Sequence, residues 1–281
     1  MTNRNKLAAA VGQLEEHLLW LKEEGTRTIA ADPKSLNTAA TPAPVSKPWK
    51  TDSPKVPSLG KTAAPAFQPL PPPPAPLIAD VAAAQTKLAE IARHIAGCEK
   101  CVLCRKRTHT VPGQGNPQPE IMFVGEGPGE DEDAQGLAFV GAAGKLLTRM
   151  IVRMGLTREQ VFIGNIVKCR PPGNRAPLPD EMAACLPYLR EQIAILQPKV
   201  IICLGGTAVK GLLNNQTGIT RLRGQWQKYQ GVDVMPTLHP SYLLRGGGED
   251  RARWWEVWND LVAALRKVGR EAPPQKTSAA S

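Results

Sequence analysis

No run of apolar residues in this chain is long enough to span a bilayer, and the charges scattered through its first 25 positions exclude a secretory signal peptide. These absences point away from the membrane and towards a soluble, cytoplasmic protein. The Gly-Lys-Ser/Thr element that cradles nucleotide phosphates is also missing. The nearest glycine-rich stretch, Gly125-Glu126-Gly127-Pro128-Gly129-Glu130, has Glu130 where a dinucleotide motif has its last glycine, and Asp131-Glu132-Asp133 follow. A pyrophosphate needs bare backbone amides at a helix N-terminus, and clustered acids repel it. No nucleotide cofactor is expected.

The chain carries a net charge of +10 and a pI near 9.5. Lysine and arginine that neutralise phosphates release condensed counterions, so this balance invites a polyanionic partner, although part of the charge lies in segments that solvent alone could satisfy. Composition divides the 281 residues unevenly. Leu7, Val11, Leu14, Leu18 and Leu21 recur at helical spacing among glutamates, which predicts a short amphipathic helix within residues 1–30, suited to docking a protein partner. Residues 31–82 are rich in Pro and Ala, include Leu70-Pro71-Pro72-Pro73-Pro74-Ala75-Pro76, and read as a disordered linker. Residues 83–268 form the expected domain, and 269–281 a disordered tail.

Within the domain, short apolar runs alternate with amphipathic stretches. That pattern predicts an α/β fold, a three-layer α/β/α sandwich around a short central parallel sheet. The strands are expected at Ile121–Val124, Val161–Val167, Val200–Leu204 and Val232–Leu238, each running into a polar or glycine-rich loop. Ligands of open α/β sheets bind beyond the carboxyl ends of the strands, so these loops should share one cleft.

Four of the six cysteines fall as Cys98-x-x-Cys101 and, far downstream, Cys169 and Cys185. In a chain without a secretory signal this reads as a thiolate metal site tying two distant segments together, with zinc and an iron–sulfur cluster both open. Cys104 extends the first pair and competes for a place. Cys203, inside the run Val200–Leu204, reads as a small buried hydrophobe.

The glycine-rich stretch, Phe139-Val140-Gly141, Asn165-Ile166-Val167-Lys168-Cys169-Arg170-Pro171-Pro172, Asn174-Arg175 and His239-Pro240-Ser241-Tyr242-Leu243-Leu244-Arg245 together resemble the family 4 uracil-DNA glycosylases. The likeness runs in order from about residue 95 to 265 and does not reach residues 1–80. It implies excision of uracil from DNA at the start of base excision repair. It also implies a [4Fe-4S] cluster on Cys98, Cys101, Cys169 and Cys185, with Cys104 as a spare thiol.

Such an enzyme extrudes the nucleotide into a pocket. Phe139 is the candidate stacking surface for the base, and the carboxamide of Asn165 can accept from uracil N3–H while donating to O4, where cytosine presents the opposite groups. His239 resembles the stabiliser of the leaving uracil, a contribution typically worth about 3–4 kcal/mol. Glu126 and Glu132 are acidic candidates for handling water, and Asn174 for orienting it. Gly127 stands where the family 1 enzymes resemble one another in carrying an aspartate. Leu243 or Leu244 could wedge into the space the base leaves. Arg245, Arg221, Arg223 and Lys228 are candidate phosphate contacts, whereas Trp254, Trp255 and Trp258 read as packing. Two other readings compete. The X-type relatives that cross-link to uracil DNA resemble this chain in fold and cluster but carry a basic, histidine-bearing insert where here Asp133 runs directly to Phe139. A non-catalytic iron–sulfur binding module would leave Asn165, Phe139 and His239 without a joint purpose.

Overall fold

The computed structural model describes residues 80–245 and 250–273. Helix α1 (Val81–Ala96) begins inside the stretch expected to be linker, because the Asp80 carboxylate accepts from the Ala82 amide at 3.0 Å and caps it. The amphipathic helix expected before residue 30, most of the linker and the tail from residue 274 lie outside the described residues.

After a 3₁₀ turn at Val102–Arg105, the chain alternates strands and helices: β1 (Gln114–Gly115), β2 (Ile121–Gly125), α2 (Glu130–Gln135), α3 (Ala142–Arg153), β3 (Phe162–Asn165), α4 (Pro179–Leu196), β4 (Val200–Leu204), α5 (Gly206–Leu213), α6 (Ile219–Leu222), β5 (Gln227–Tyr229), β6 (Val232–Thr237), α7 (Pro240–Leu243) and α8 (Arg251–Lys267). The sheet order is β1-β3-β2-β4-β6-β5. Its four central strands are parallel, and the short polar strands β1 and β5 close the edges antiparallel. All four expected strands are present, but the sheet as a whole is mixed rather than purely parallel.

Side-chain alternation along the strands divides the interior in two. Met122, Val124, Ile201, Cys203 and Val234 face a core completed by Ile91 and Ile95 of α1, Leu189 and Ile193 of α4, and Val209 of α5. Ile121, Phe123, Val200, Ile202 and Met235 face the other core with Leu147 and Met150 of α3, and Leu261 and Leu265 of α8. Helices therefore cover both faces, giving three layers, and the central strands are buried on both sides as parallel strands must be. The register sets Gly125 beside Asn165 and Leu204 beside Thr237, so four strand ends open at one rim.

Candidate active site

At that rim lies a cleft of about 560 Å³. Glu126, Gly127, Glu132, Phe139, Asn165, Asn174, His239 and Arg245 all line it, and the fold thus assembles residues that are up to 119 positions apart in sequence. Asn165 ends β3 and is 1 % exposed, yet its Oδ1 is buried with no hydrogen-bond partner. A buried acceptor left unpaired is costly, so it is a feature to be explained by a ligand. The absence of a side chain at Gly125 keeps the space open: a Cβ there would come within 2.5 Å of both Asn165 Oδ1 and the Phe139 ring.

Phe139 is held in the left-handed region, at φ 53°, a conformation that is strained for an aromatic residue. Its surroundings impose it. The Arg158 guanidinium donates to the carbonyls of Ala138 at 2.7 Å and Phe139 at 3.1 Å, and Gly144 supplies the room, since a Cβ there would lie 2.0 Å from the Phe139 carbonyl. The ring sits 5.6 Å from that of His239, centroid to centroid.

His239 follows β6 and caps α7. The Ser241 N–H donates to Nδ1 at 3.1 Å and the Ser241 hydroxyl lies 2.7 Å from the same nitrogen. Nδ1 is therefore an acceptor, and in the neutral ring the proton resides on Nε2. Burial, with the Arg245 charge assisting, pushes the imidazole down from its ordinary 6.5 to about 4, so the ring is neutral at physiological pH.

The carboxylates differ in their engagement. Glu132 accepts from the amides of Gly129 at 3.0 Å, Val140 at 2.8 Å and Gly141 at 2.9 Å, pinning the glycine loop to the Phe139 loop. Glu126 lines the cleft half-buried, while its carbonyl accepts from the Val167 amide at 3.1 Å. Asn174, exposed, accepts through Oδ1 from Arg170 Nε at 2.7 Å. At Gly127 a Cβ would lie 2.6 Å from a Val167 methyl, so the position where the family 1 enzymes carry an aspartate has no room for a side chain unless Val167 yields.

On the face of the sheet that carries α1 and α4, Cys98, Cys101, Cys104, Cys169 and Cys185 line one small cavity with Lys168, Arg107 and Tyr188. The Lys168 amide donates to Cys185 Sγ at 3.2 Å and Arg107 to Cys169 Sγ at 3.4 Å. Burial raises the Cys169 thiol and raises that of Cys185 to about 11, so holding them as thiolates there calls for a compensating cation. Among the described residues no three His, Cys, Asp or Glu side chains converge tightly enough to hold a single metal ion.

The pattern of the Uracil DNA glycosylase superfamily matches residues 112–262. The chain belongs to that superfamily. It is similar to the type 4 uracil-DNA glycosylase of Sulfurisphaera tokodaii, with 51 % identity over 166 residues, covering 56 % of this chain and 76 % of the relative. The type 4 uracil-DNA glycosylase of Thermotoga maritima is 46 % identical over 185 residues, covering 64 % of this chain and 94 % of the relative. A type 5 uracil-DNA glycosylase of Pyrobaculum aerophilum is more distant, at 29 % over 150 residues, 47 % of this chain and 66 % of the relative. The type 4 likeness read from the motifs holds.

Against this superfamily's motifs, the two wedge candidates separate. Leu243 is fully buried in the core beside α3 and α8, so reaching DNA would require it to leave that core. Leu244, the next residue, is half-buried. Among the cations, Arg245 lies at the cleft and Arg221 is exposed, but Arg223 is bound to Asp260 at 2.9 Å and Lys228 to Asp233 at 2.8 Å. Trp254 and Trp258 stack at 6.4 Å under Arg153, as packing residues do. Sequence reasoning passed over Ser241, Arg158 and Lys168. For Lys168 the signal was available: a lysine enclosed between the apolar run Ile166-Val167 and Cys169.

Proposed function

We propose that this protein excises uracil from DNA by hydrolysing its N-glycosidic bond, the first step of base excision repair after cytosine deamination. The observation that carries the reading is the unpartnered Oδ1 of Asn165, buried in a cleft with Phe139 and His239. A flipped uracil stacks on Phe139, gives its N3–H to Asn165 Oδ1 and accepts at O4 from the amide nitrogen. Cytosine, with an acceptor at N3 and a donor at N4, would leave both pairs mismatched, which sites of this kind reject strongly.

As the glycosidic bond lengthens, negative charge gathers on the uracil. His239, neutral with Nε2–H available, donates to uracil O2 where that charge develops. Glu126 and Asn174 are left to place the attacking water near C1′, and Glu132, engaged by three amides, acts by fixing the loops around them. Leu244 takes the wedge role, and Arg245 with Arg221 meets DNA phosphates.

Cys98, Cys101, Cys169 and Cys185 suit a [4Fe-4S] cluster, because they bring four thiols to one cavity in a chain similar to the type 4 enzymes. Those four residues would hold the cluster, which would tie the Cys98–Cys101 segment to the loop after β3 and to α4. A site of clustered thiols of this kind suits a reducing compartment such as the cytoplasm. Incubating the purified protein with a labelled uracil oligonucleotide and then alkali tests the reading. Strand breakage at uracil is expected. A denaturation-resistant adduct would instead mark a cross-linker, and neither product a binding module.

A further inference from the structure

We propose that Lys168 is the positioning residue of the uracil-reading amide, a single side chain joining the cysteine cavity to the base pocket. The inference rests on the function proposed above.

Lys168 is 1 % exposed, among the largest fully buried side chains of the molecule. Its ammonium donates to the main-chain carbonyl of Asn165 at 2.9 Å and to Gln192 Oε1 at 2.8 Å, and Gln192 in turn donates to the Pro112 carbonyl at 2.8 Å. Its backbone is anchored independently. The amide donates to Cys185 Sγ at 3.2 Å, and the carbonyl accepts from the Val111 amide at 2.8 Å. Lys168 is thus fixed at both ends, and what its head group grips is the backbone of the residue whose Oδ1 is left unpaired for a ligand.

A buried ammonium is expensive, and an apolar side chain of similar length would pack at least as stably. Lysine is therefore a costly way to fill this space unless its donors are needed. They are needed here because Asn165 ends β3, where the ladder with β2 stops at the Gly125–Asn165 pair. Beyond that point the Asn165 carbonyl has Lys168 as its partner. A carboxamide can discriminate between uracil and cytosine only if it is held in one orientation, and the ammonium, through this carbonyl, fixes the peptide from which the carboxamide projects.

The test is a double-mutant cycle between Lys168→Met and Asn165→Ala, read as single-turnover excision on single-stranded uracil DNA and as inhibition by free uracil. Iron content, thermal melting and affinity for abasic DNA are measured alongside. Lys168→Met alone should slow excision and weaken uracil inhibition by about tenfold, with abasic-DNA affinity kept; in the Asn165→Ala background it should cost less than about twofold more. A merely structural lysine would give losses that add in full, or a melting shift with uracil inhibition unchanged, and either result overturns the proposal. If Lys168→Met loses its iron or does not fold, the same cycle is run with Gln192→Leu, which removes one of the two acceptors; a smaller loss, again absent in the Asn165→Ala background, is expected, and additive losses refute it. A wild-type protein that leaves uracil in DNA would take down the function and this inference together, whereas active wild type with additive variants takes down the inference alone.

Discussion

His239 illustrates how much of the site depends on one residue's immediate neighbours. Because Ser241 occupies Nδ1, the nitrogen left to face a leaving base is a donor, and because burial holds the ring near 4, it stays neutral through the physiological range. The ratio of wild-type to His239→Ala single-turnover rates should therefore stay constant between about pH 7.5 and 5.5; a ratio that changes tenfold around the ordinary histidine pKa would show that the charged ring is the active form. The linkage has the matching sign. The depressed pKa contributes stability that is complete above pH 6.5 and is lost as pH falls towards 4, so His239→Asn should show a shallower fall in melting temperature across that window. The two leucines that follow give a second contrast. Leu243→Ala opens a cavity in a closed core and should cost about 2–5 kcal/mol of stability, with equal loss of rate on single- and double-stranded substrates. Leu244→Ala should leave the melting temperature within a few degrees and slow excision chiefly on duplex DNA, where the stack must be opened. Equal loss on both substrates for Leu244→Ala would remove it as the wedge.

Among the elements, the loops between strands and helices carry most of the function, and the Glu132 brace shows how. One carboxylate at the start of α2 satisfies three amides from two loops, so it sets the distance between the glycine stretch and Phe139. Glu132→Gln keeps one acceptor oxygen, enough for Val140 and Gly141, but loses the charge and turns an NH2 towards the Gly129 amide, so it should retain part of the activity with an unchanged pH profile. Glu132→Ala leaves three part-buried amides unpaired and should lower stability by about 1–3 kcal/mol, with rate falling in step. A Glu132→Gln enzyme as inactive as a general-base deletion, with its acid limb abolished, would make this residue a water activator after all. The brace could not be read from the sequence, because its partners are backbone amides up to nine residues away and carry no residue-type signal. The central strands were legible for the opposite reason. Ile121–Val124 and Val200–Leu204 are continuous apolar runs ending in glycines, as strands buried on both faces must be, whereas the edge strands at Gln114–Gly115 and Gln227–Tyr229 are short and polar. Leu243 and Leu244 are adjacent in a single turn, where periodicity has too little length to tell the buried one from the other.

For the molecule as a whole, the legible part was the order of chemical groups along the chain, and the illegible part was how side chains connect the two sites. Asn165, Phe139 and His239 lie 26 to 100 positions apart, yet each ends a strand, follows one or sits in the loop that precedes a helix, and the order of those strands is set by topology, so their convergence was predictable from the parallel arrangement. The path from Cys185 through Lys168 to Asn165 depends on a buried rotamer that no pattern of residue types announces. Among the described residues, those after Asp80 supply both cores, the cleft and the cysteine cavity. A chain beginning at Asp80 should therefore fold, keep about four irons per molecule when purified without oxygen, and excise uracil at a rate within about threefold of the full chain at low salt. Replacing Cys169 or Cys185 with Ala in that shortened chain should lose the iron and the cooperative melt together, while Cys104→Ala should keep both. Retained activity with weaker duplex affinity, and a shallower dependence on salt than the full chain shows, would assign the residues before Asp80 to the phosphate backbone, because each lost phosphate contact lowers the salt slope by about one. Stoichiometric zinc without sulfide would show that the five-thiol cavity holds a different metal from the one proposed. Loss of iron on truncation alone would show that residues before Asp80 contribute to the integrity of the domain.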